Sequence, residues 1–222
     1  MNQIPCPWTG TKLALISAAG ALFAEKGTKG TSIRAIAEMG GTNVAAVNYH
    51  FGSKEKLHLE VMRYVLAQIN LTSPATYLAD PTWFTNDTSK ARLIEQLVRD
   101  RFAAYLSPNQ PAWFGRFMVQ SMSNQTKSLE TVLRENMFPE HEAVSEIFCR
   151  CKADMTKEEG RLWAFSFVSL VSFYVFAEVP ILLIMDREAY GSTFLAELEA
   201  HVAQILIRAL GLRPRTKSQE KQ

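Results

Sequence analysis

Thr31, Ser32, Arg34, Asn43, Asn48, Tyr49, His50 and Lys54 fall within one short stretch of this 222-residue chain, and as a set they are hydrogen-bond donors rather than a catalytic group. A tyrosine hydroxyl, an imidazole N–H and an ammonium (Tyr49, His50, Lys54) are phosphate donors that fix register without reading sequence. The planar fork of Arg34 can take guanine O6 and N7 together, and the amide of Asn48 can pair with adenine. Val44, Ala45 and Ala46 lie among them; the small alanines allow close approach to a groove and can touch thymine methyls. Thr31 or Ser32 would add a phosphate contact at a helix N-terminus, where backbone N–H groups are unsatisfied. Asn43 serves as a helix cap or as a base contact. No Ser or Cys nucleophile accompanies His50, and the chain shows no paired carboxylates, metal-ligand spacing or phosphate-cradling loop. Enzymatic chemistry, metals and cofactors are not expected; double-stranded DNA is.

Such donors need a rigid frame, and the spacing Ala37-x3-Gly41-x5-Val47 describes one. It predicts two short helices crossing steeply about a tight turn. Ala37 must be small where the second helix packs across it, and Gly41 must lack a Cβ where the turn needs positive φ. Val47, with Ile33 and Ile36, fills the angle. This is a helix-turn-helix unit, whose second helix enters a major groove. A preceding helix is predicted at 11–26, with Leu13, Ile16, Ala19, Gly20 and Phe23 on one stripe and Gly27 as its stop. Thr31 or Ser32 caps the next, Asn43 caps the recognition helix, and Gly52 ends it. Phe51 is expected in the core. Ser53 then caps a long fourth helix with Leu57, Val61, Tyr64, Val65 and Ile69 as its buried face.

The first 66 residues or so resemble the tetracycline-repressor (TetR) family. The match runs through Leu15-Ile16, Ala18-Ala19 and Leu22-Phe23 in the first helix and Ile36-Ala37 in the second. Its most specific part is Tyr49-His50-Phe51-Gly52-Ser53-Lys54-Glu55-Lys56-Leu57. The turn reads Gly40-Gly41-Thr42-Asn43 where the family commonly has Ala-Gly-Val-Ser; Asn keeps the cap, while Thr42 gives up a buried methyl. The resemblance implies base or phosphate contact from Arg34, and backbone contacts from Tyr49, His50 and Lys54. The remaining two thirds resemble the CecR-type carboxy-terminal domain through Trp113-Phe114-Gly115-Arg116 and the Phe138-Pro139 region. That likeness implies dimerisation through the last two helices and an enclosed effector pocket.

Beyond a Pro-, Thr-, Asp- and Asn-rich linker at 72–89, helices are predicted at 91–106, 112–124, 127–149, 157–178 and 194–210, with Phe138-Pro139 kinking or dividing the third. Trp113, Phe114, Phe117, Met118, Met122 and Met137 are candidates to line a pocket, since aromatic and Met side chains make deformable apolar walls. Arg116 and His141 would orient a polar ligand group. The plainer account of the apolar residues is core packing. Phe165, Val168, Ser172, Phe176, Leu198, His201, Ile205 and Leu206 are the expected dimer seam, with Ser169 and Ser172 letting helices approach closely.

Composition agrees with a globular chain: 47% hydrophobic, 21% charged, net charge +2. The charge is uneven, at +3 through Leu66, −4 from Ala67 to Gly211 and +3 beyond. The amino-terminal part is thus the mildly basic one, as suits a phosphate-facing domain. Cys6, Cys149 and Cys151 are too few for a disulfide framework and read as reduced thiols of a cytoplasmic protein. Residues 1–10 carry no charge and do not read as a signal or transit peptide. The apolar run 162–185 almost suffices to span a bilayer, but Ser166, Ser169, Ser172, Glu178 and Pro180 interrupt it, and no membrane partner is expected. The whole reads as all-α: a helix-turn-helix DNA-binding domain at 1–56, a larger helical regulatory and dimerisation domain at 57–211, and a disordered tail at 212–222. The function implied is a homodimeric transcriptional regulator, a repressor released from a pseudo-palindromic operator by a small apolar or amphipathic effector. The alternative is a regulator controlled by a protein partner or without an effector.

Overall fold

The structure, a computed structural model, describes residues 8–69, 73–106, 110–122 and 127–213; the expectations for Cys6, for the side chains of Ile69 and Met122 and for the tail beyond 213 lie outside these. Among the described residues every regular element is helical. In chain order they are α1 (Gly10–Gly30), α2 (Ile33–Met39), α3 (Val44–Phe51), α4 (Lys54–Ile69), α5 (Ala75–Leu78), a 3-10 turn (Pro81–Phe84), α6 (Asp87–Leu106), α7 (Trp113–Met122), α8 (Lys127–Cys151), α9 (Lys157–Phe176), α10 (Glu178–Ile184) and α11 (Ser192–Ala209).

The chain forms two compact units, and they do not follow chain order. One joins Met1–Gln68 with Asn109–Asn136; the other joins Ile69–Pro108 with Met137–Gln222. The sequence boundary after residue 56 therefore cuts through α4, and α7, expected with the carboxy-terminal helices, packs with the amino-terminal ones. In the first unit α7 runs along α1, while α2 crosses α1 and α3 crosses α2. The core of this unit buries Leu15, Ile16, Ala19 and Phe23 of α1 and Ile36, Ala37, Val47, Phe51, Leu57 and Val61 of the three helices that follow. α1 and α7 approach closely because Gly20 has no side chain: a Cβ there would lie 2.3 Å from the Trp113 ring. The polar ends of this core are tied down by Trp8, whose indole N–H donates to Glu60 Oε2 at 3.1 Å, and by Lys12, 3.4 Å from the same carboxylate.

In the second unit α6 and α11 lie together with α9 against them. Ile94, Leu97, Val98 and Phe102 bury with Phe148, Phe167, Val202 and Leu206. One charge sits inside this packing. Arg101 is 8% exposed; it is ion-paired to Glu140 of α8 and lies over the Tyr105 and Phe167 rings at 5.6 and 5.9 Å.

Three expectations change. The described part of the 72–89 linker is not bare loop: it holds α5 and the 3-10 turn, and Tyr77, Leu78, Trp83 and Phe84 pack on the second core. Pro139 does not divide its helix, since α8 runs on through it. The expected helix 157–178 instead ends at Phe176, and Glu178–Ile184 forms a separate element bent 73° from it. No single helix among the described residues is long and apolar enough to cross a membrane; only that bent pair meets the length and composition together.

Candidate nucleic-acid interface

The frame of the interface is set by three local devices. Ser32 caps α2, its Oγ accepting from the Ala35 amide at 3.1 Å. Asn43 caps α3, its Oδ1 accepting from the Ala46 amide at 2.9 Å. Between them Gly41 takes φ +65, in the left-handed region that only a residue without Cβ enters cheaply, and the Thr42 amide closes back on the Ala37 carbonyl at 2.9 Å. Thr42 in place of an apolar residue leaves that turn closed. Ala37 and Val47 are buried on the inside of the crossing.

On the outside lie the donors. Ser32, Arg34, Asn43, Val44, Ala45, Asn48, Tyr49 and His50 are all exposed, and Ala46 is partly so. Tyr49 is 86% exposed, far beyond what a packing role would leave. Its ring meets the His50 ring edge-on at 5.2 Å. The helix caps leave spare capacity: Ser32 accepts with Oγ and keeps its O–H donor, and Asn43 keeps its two amide N–H donors. Lys54 begins α4, and its Nζ donates to the Thr31 carbonyl at 2.9 Å, which leaves two further N–H donors.

Thr31 does not belong to this surface. It is 3% exposed, and its hydroxyl donates to the Gly27 carbonyl at 2.8 Å and the Leu22 carbonyl at 3.2 Å. The pair Thr31/Ser32 is therefore divided by depth: Thr31 locks the end of α1, and Ser32 carries the exposed hydroxyl and the cap.

The expected ligand-lining residues are scattered. Phe114, Phe117 and Met118 are buried within the first unit, where Phe114 stands edge-on to Tyr64 at 5.8 Å. Trp113 meets α1 at Gly20, and Arg116 is exposed. Phe114 and Phe117 are buried in the core of the first unit, and Trp113 is half-buried. Met137 and His141 fall in the other unit. His141 packs on Phe165, ring centroids 4.1 Å apart, and its Nε2 is buried with no hydrogen-bond partner among the described residues.

The expected dimer seam also needs correction. Ser172, Leu198 and Leu206 are buried inside the second unit, because they sit on the inward faces of α9 and α11. Val168 packs partly against the same core. Phe165, Phe176, His201 and Ile205 are exposed as expected. Other large apolar side chains of α9, α10 and the residue after it are exposed as well: Leu162, Phe173 (61% exposed), Val179, Leu183, Ile184 (81% exposed) and Met185. The apolar run 162–185 carried the signal, but its outward members could not be sorted before the bend between α9 and α10 was seen. Arg101 and Glu140 were missed too; an Arg three and four residues after Val98 and Leu97 lies on the apolar stripe of α6 and was the available sign.

Residues 15–61 match the family model for bacterial regulatory proteins of the tetR family. Residues 91–212 match that for the C-terminal domain of the HTH-type transcriptional dual regulator CecR. CecR of Shigella flexneri is 46% identical over 54 residues, which is 24% of this chain and 24% of that protein, so the alignment spans about a quarter of the relative. Among solved structures, AibR in complex with isovaleryl coenzyme A and operator DNA has a TM-score of 0.65 at 13% identity, covering 89% of this chain and 98% of its own. AmtR of Mycobacterium smegmatis has 0.62 at 18% identity, covering 96% and 100%. PfmR, a TetR family transcriptional regulator from Thermus thermophilus, has 0.60 at 20%, covering 87% and 97%. The structural likenesses carry the fold, and the two family matches, the second spanning more than half of the residues, carry the identity: the chain belongs to the TetR family of DNA-binding bacterial regulatory proteins, with a C-terminal domain of the CecR type.

Proposed function

We propose that the protein is a cytoplasmic homodimeric repressor whose two α3 helices enter successive major grooves of a pseudo-palindromic operator. The observation that carries this reading is the exposed row of donors on α2 and α3, Ser32, Arg34, Asn43, Asn48, Tyr49 and His50, held on a closed helix-turn-helix frame. In it Tyr49, His50, Lys54 and Ser32 hold phosphates, while Arg34 and Asn48, with Val44, Ala45 and Ala46, read base edges. A two-fold dimer places the half-sites about one helical turn, roughly 34 Å, apart. The second copy is supported by the outward apolar face of α9 and α10, since large side chains such as Phe173 and Ile184 left in water form a patch that asks for a partner.

Release by a small apolar or amphipathic effector completes the proposal. AibR, of the same fold, was solved with isovaleryl coenzyme A and operator DNA together. In this chain the buried, unpartnered Nε2 of His141 is a place where a ligand's polar group would be welcome. An effector acts only through its different affinity for the two conformations. A second reading, control by a protein partner or without an effector, draws support from Phe114 and Phe117, which are buried in the packing of the first unit.

Selection of random duplex DNA by the purified protein, followed by sequencing, tests the first part. An enriched inverted repeat is the expected result; salt-sensitive binding without enrichment would refute sequence-specific operator recognition. Calorimetry with apolar and acyl ligands tests the second: binding that leaves operator affinity unchanged, or no binding, favours the second reading.

A further inference from the structure

Ser121 on α7 is 2% exposed, and its hydroxyl meets His58 Nε2 of α4 at 3.0 Å. The imidazole is framed by two rings, Phe23 of α1 edge-on at 5.4 Å and Phe117 of α7 tilted at 5.2 Å. Burial holds the His58 pKa below its ordinary 6.5, so the ring is neutral, with one nitrogen donating and the other accepting. Close packing alone would be served by Leu or Met, with no polar atom to satisfy. One helical turn back along α4, Lys54 Nζ donates to the Thr31 carbonyl at 2.9 Å. Thr31 is itself anchored through its hydroxyl to Leu22 and Gly27. The next residue, Ser32, caps α2 two positions ahead of Arg34. Ser121, His58, Lys54, Thr31 and Ser32 therefore form an unbroken run, hydrogen bonds joined by one turn of helix, from α7 to the exposed start of α2.

We propose that His58 is a positioning residue for DNA binding: through Ser121 it ties α4 to α7, and through the first turn of α4 it sets the α2 N-terminus that carries Ser32 and Arg34. The proposal rests on α2 and α3 being the DNA-contacting face, and His58 itself touches no DNA. Its bond to Ser121 holds α4 so that Lys54 reaches Thr31; when that bond is lost, Lys54 and the cap of α2 lose their common reference. By the same run, a shift of α7 that parts Ser121 from His58 loosens the start of α2 with nothing bound at the interface.

The test uses the full chain and the duplex it selects, with Kd measured at a temperature where every variant is folded. Ser121→Ala and His58→Leu are each expected to raise Kd about fivefold to tenfold, the range of one buried hydrogen bond. The salt slope should stay as in wild type, since no phosphate contact is removed. The double variant should be no worse than the worse single one, because both break the same link. His58→Gln, which keeps a donor and an acceptor, should recover most of the affinity. Amide hydrogen exchange at residues 32–35 of the DNA-free protein should quicken in Ser121→Ala. That readout needs no DNA, so it separates a failure of the coupling from a failure of the operator reading. If Ser121→Ala lowers thermal stability yet leaves Kd and exchange at residues 32–35 as in wild type, His58 is core packing alone and the proposal is overturned. Ser121→Ala, the milder change, decides the matter if His58→Leu does not fold.

Discussion

Lys54 is proposed to have two tasks at once, and that sets it apart from its neighbours at the proposed interface. Its Nζ holds the Thr31 carbonyl and still has N–H donors for a phosphate. Lys54→Ala is therefore expected to weaken binding to every sequence and to lower the salt slope by about 1. Tyr49→Ala should weaken binding evenly too, but leave the slope in place, because a hydroxyl releases no counterion. Arg34→Ala or Asn48→Ala should instead relax preference at single positions, at roughly 1–3 kcal/mol each. Competition with a panel of singly mutated duplexes distinguishes these outcomes. In the other unit Arg101 faces the opposite constraint, a full charge under Tyr105 and Phe167 with Glu140 as its ion-pair partner. Arg101→Leu strands the Glu140 carboxylate and is expected to cost about 3–5 kcal/mol in urea unfolding. Arg101→Met with Glu140→Leu should recover most of that, since a buried pair gains little over apolar groups of the same volume.

Among the elements, the helices of the head come closer than side chains ordinarily allow. α1 and α7 meet at Gly20, where the Trp113 ring occupies the space of a Cβ. Gly20→Ala has the higher helix propensity but forces the indole aside, and a net loss of about 1–3 kcal/mol is expected on thermal unfolding. The caps explain why the short helices exist at all: seven residues of α2 and eight of α3 could not stand alone in water. Ser32 and Asn43 supply their N-terminal partners, and the buried side chains Ile36, Ala37, Val47 and Phe51 supply the rest. These devices are local, so they were visible as residue types at fixed offsets. α9 is likewise started by a capping box, in which the Glu159 amide donates to Thr156 Oγ1 at 3.2 Å and the Thr156 amide to Glu159 Oε2 at 2.7 Å. Its end at Phe176 followed no such signal; Glu178 and Pro180 only hinted at it.

For the protein as a whole, the apolar face of α9 and α10 and the half-buried imidazoles make two predictions. Phe173→Glu or Leu183→Glu places a charge on the face proposed to meet the second copy, while leaving the core of its own unit untouched. Sedimentation is expected to show a folded monomer with strongly reduced operator affinity; an unchanged dimer would move the interface elsewhere. Folding stability should also depend on pH in the acid range. Burial lowers the pKa of His58 and of His141 below 6.5. As pH falls through 6.5 the unfolded chain takes up protons first, so the stability held above that value is lost until the folded-state values are reached. Urea midpoints at pH 7.5 and 5.5 should differ in wild type, and His58→Gln should narrow the gap.

Spacing along the chain was enough to establish the helix-turn-helix, its caps, its turn and the outward identity of Arg34, Asn48, Tyr49 and His50, because each belongs to a single helix or turn. It did not separate Thr31 from Ser32, since adjacent hydroxyls differ only in depth, and depth depends on where α1 ends. Nor could it place α7 against α1: the partner of Trp113 is Gly20, 93 positions away, and no periodicity reports a contact at that range. The residues expected at a dimer seam divided for the same reason. On α9, Phe165 and Phe176 face out while Ser172 faces in, because a helix apolar nearly all round has no polar side to reveal which face its own core has taken, and only the packing of α6, α9 and α11 made that choice.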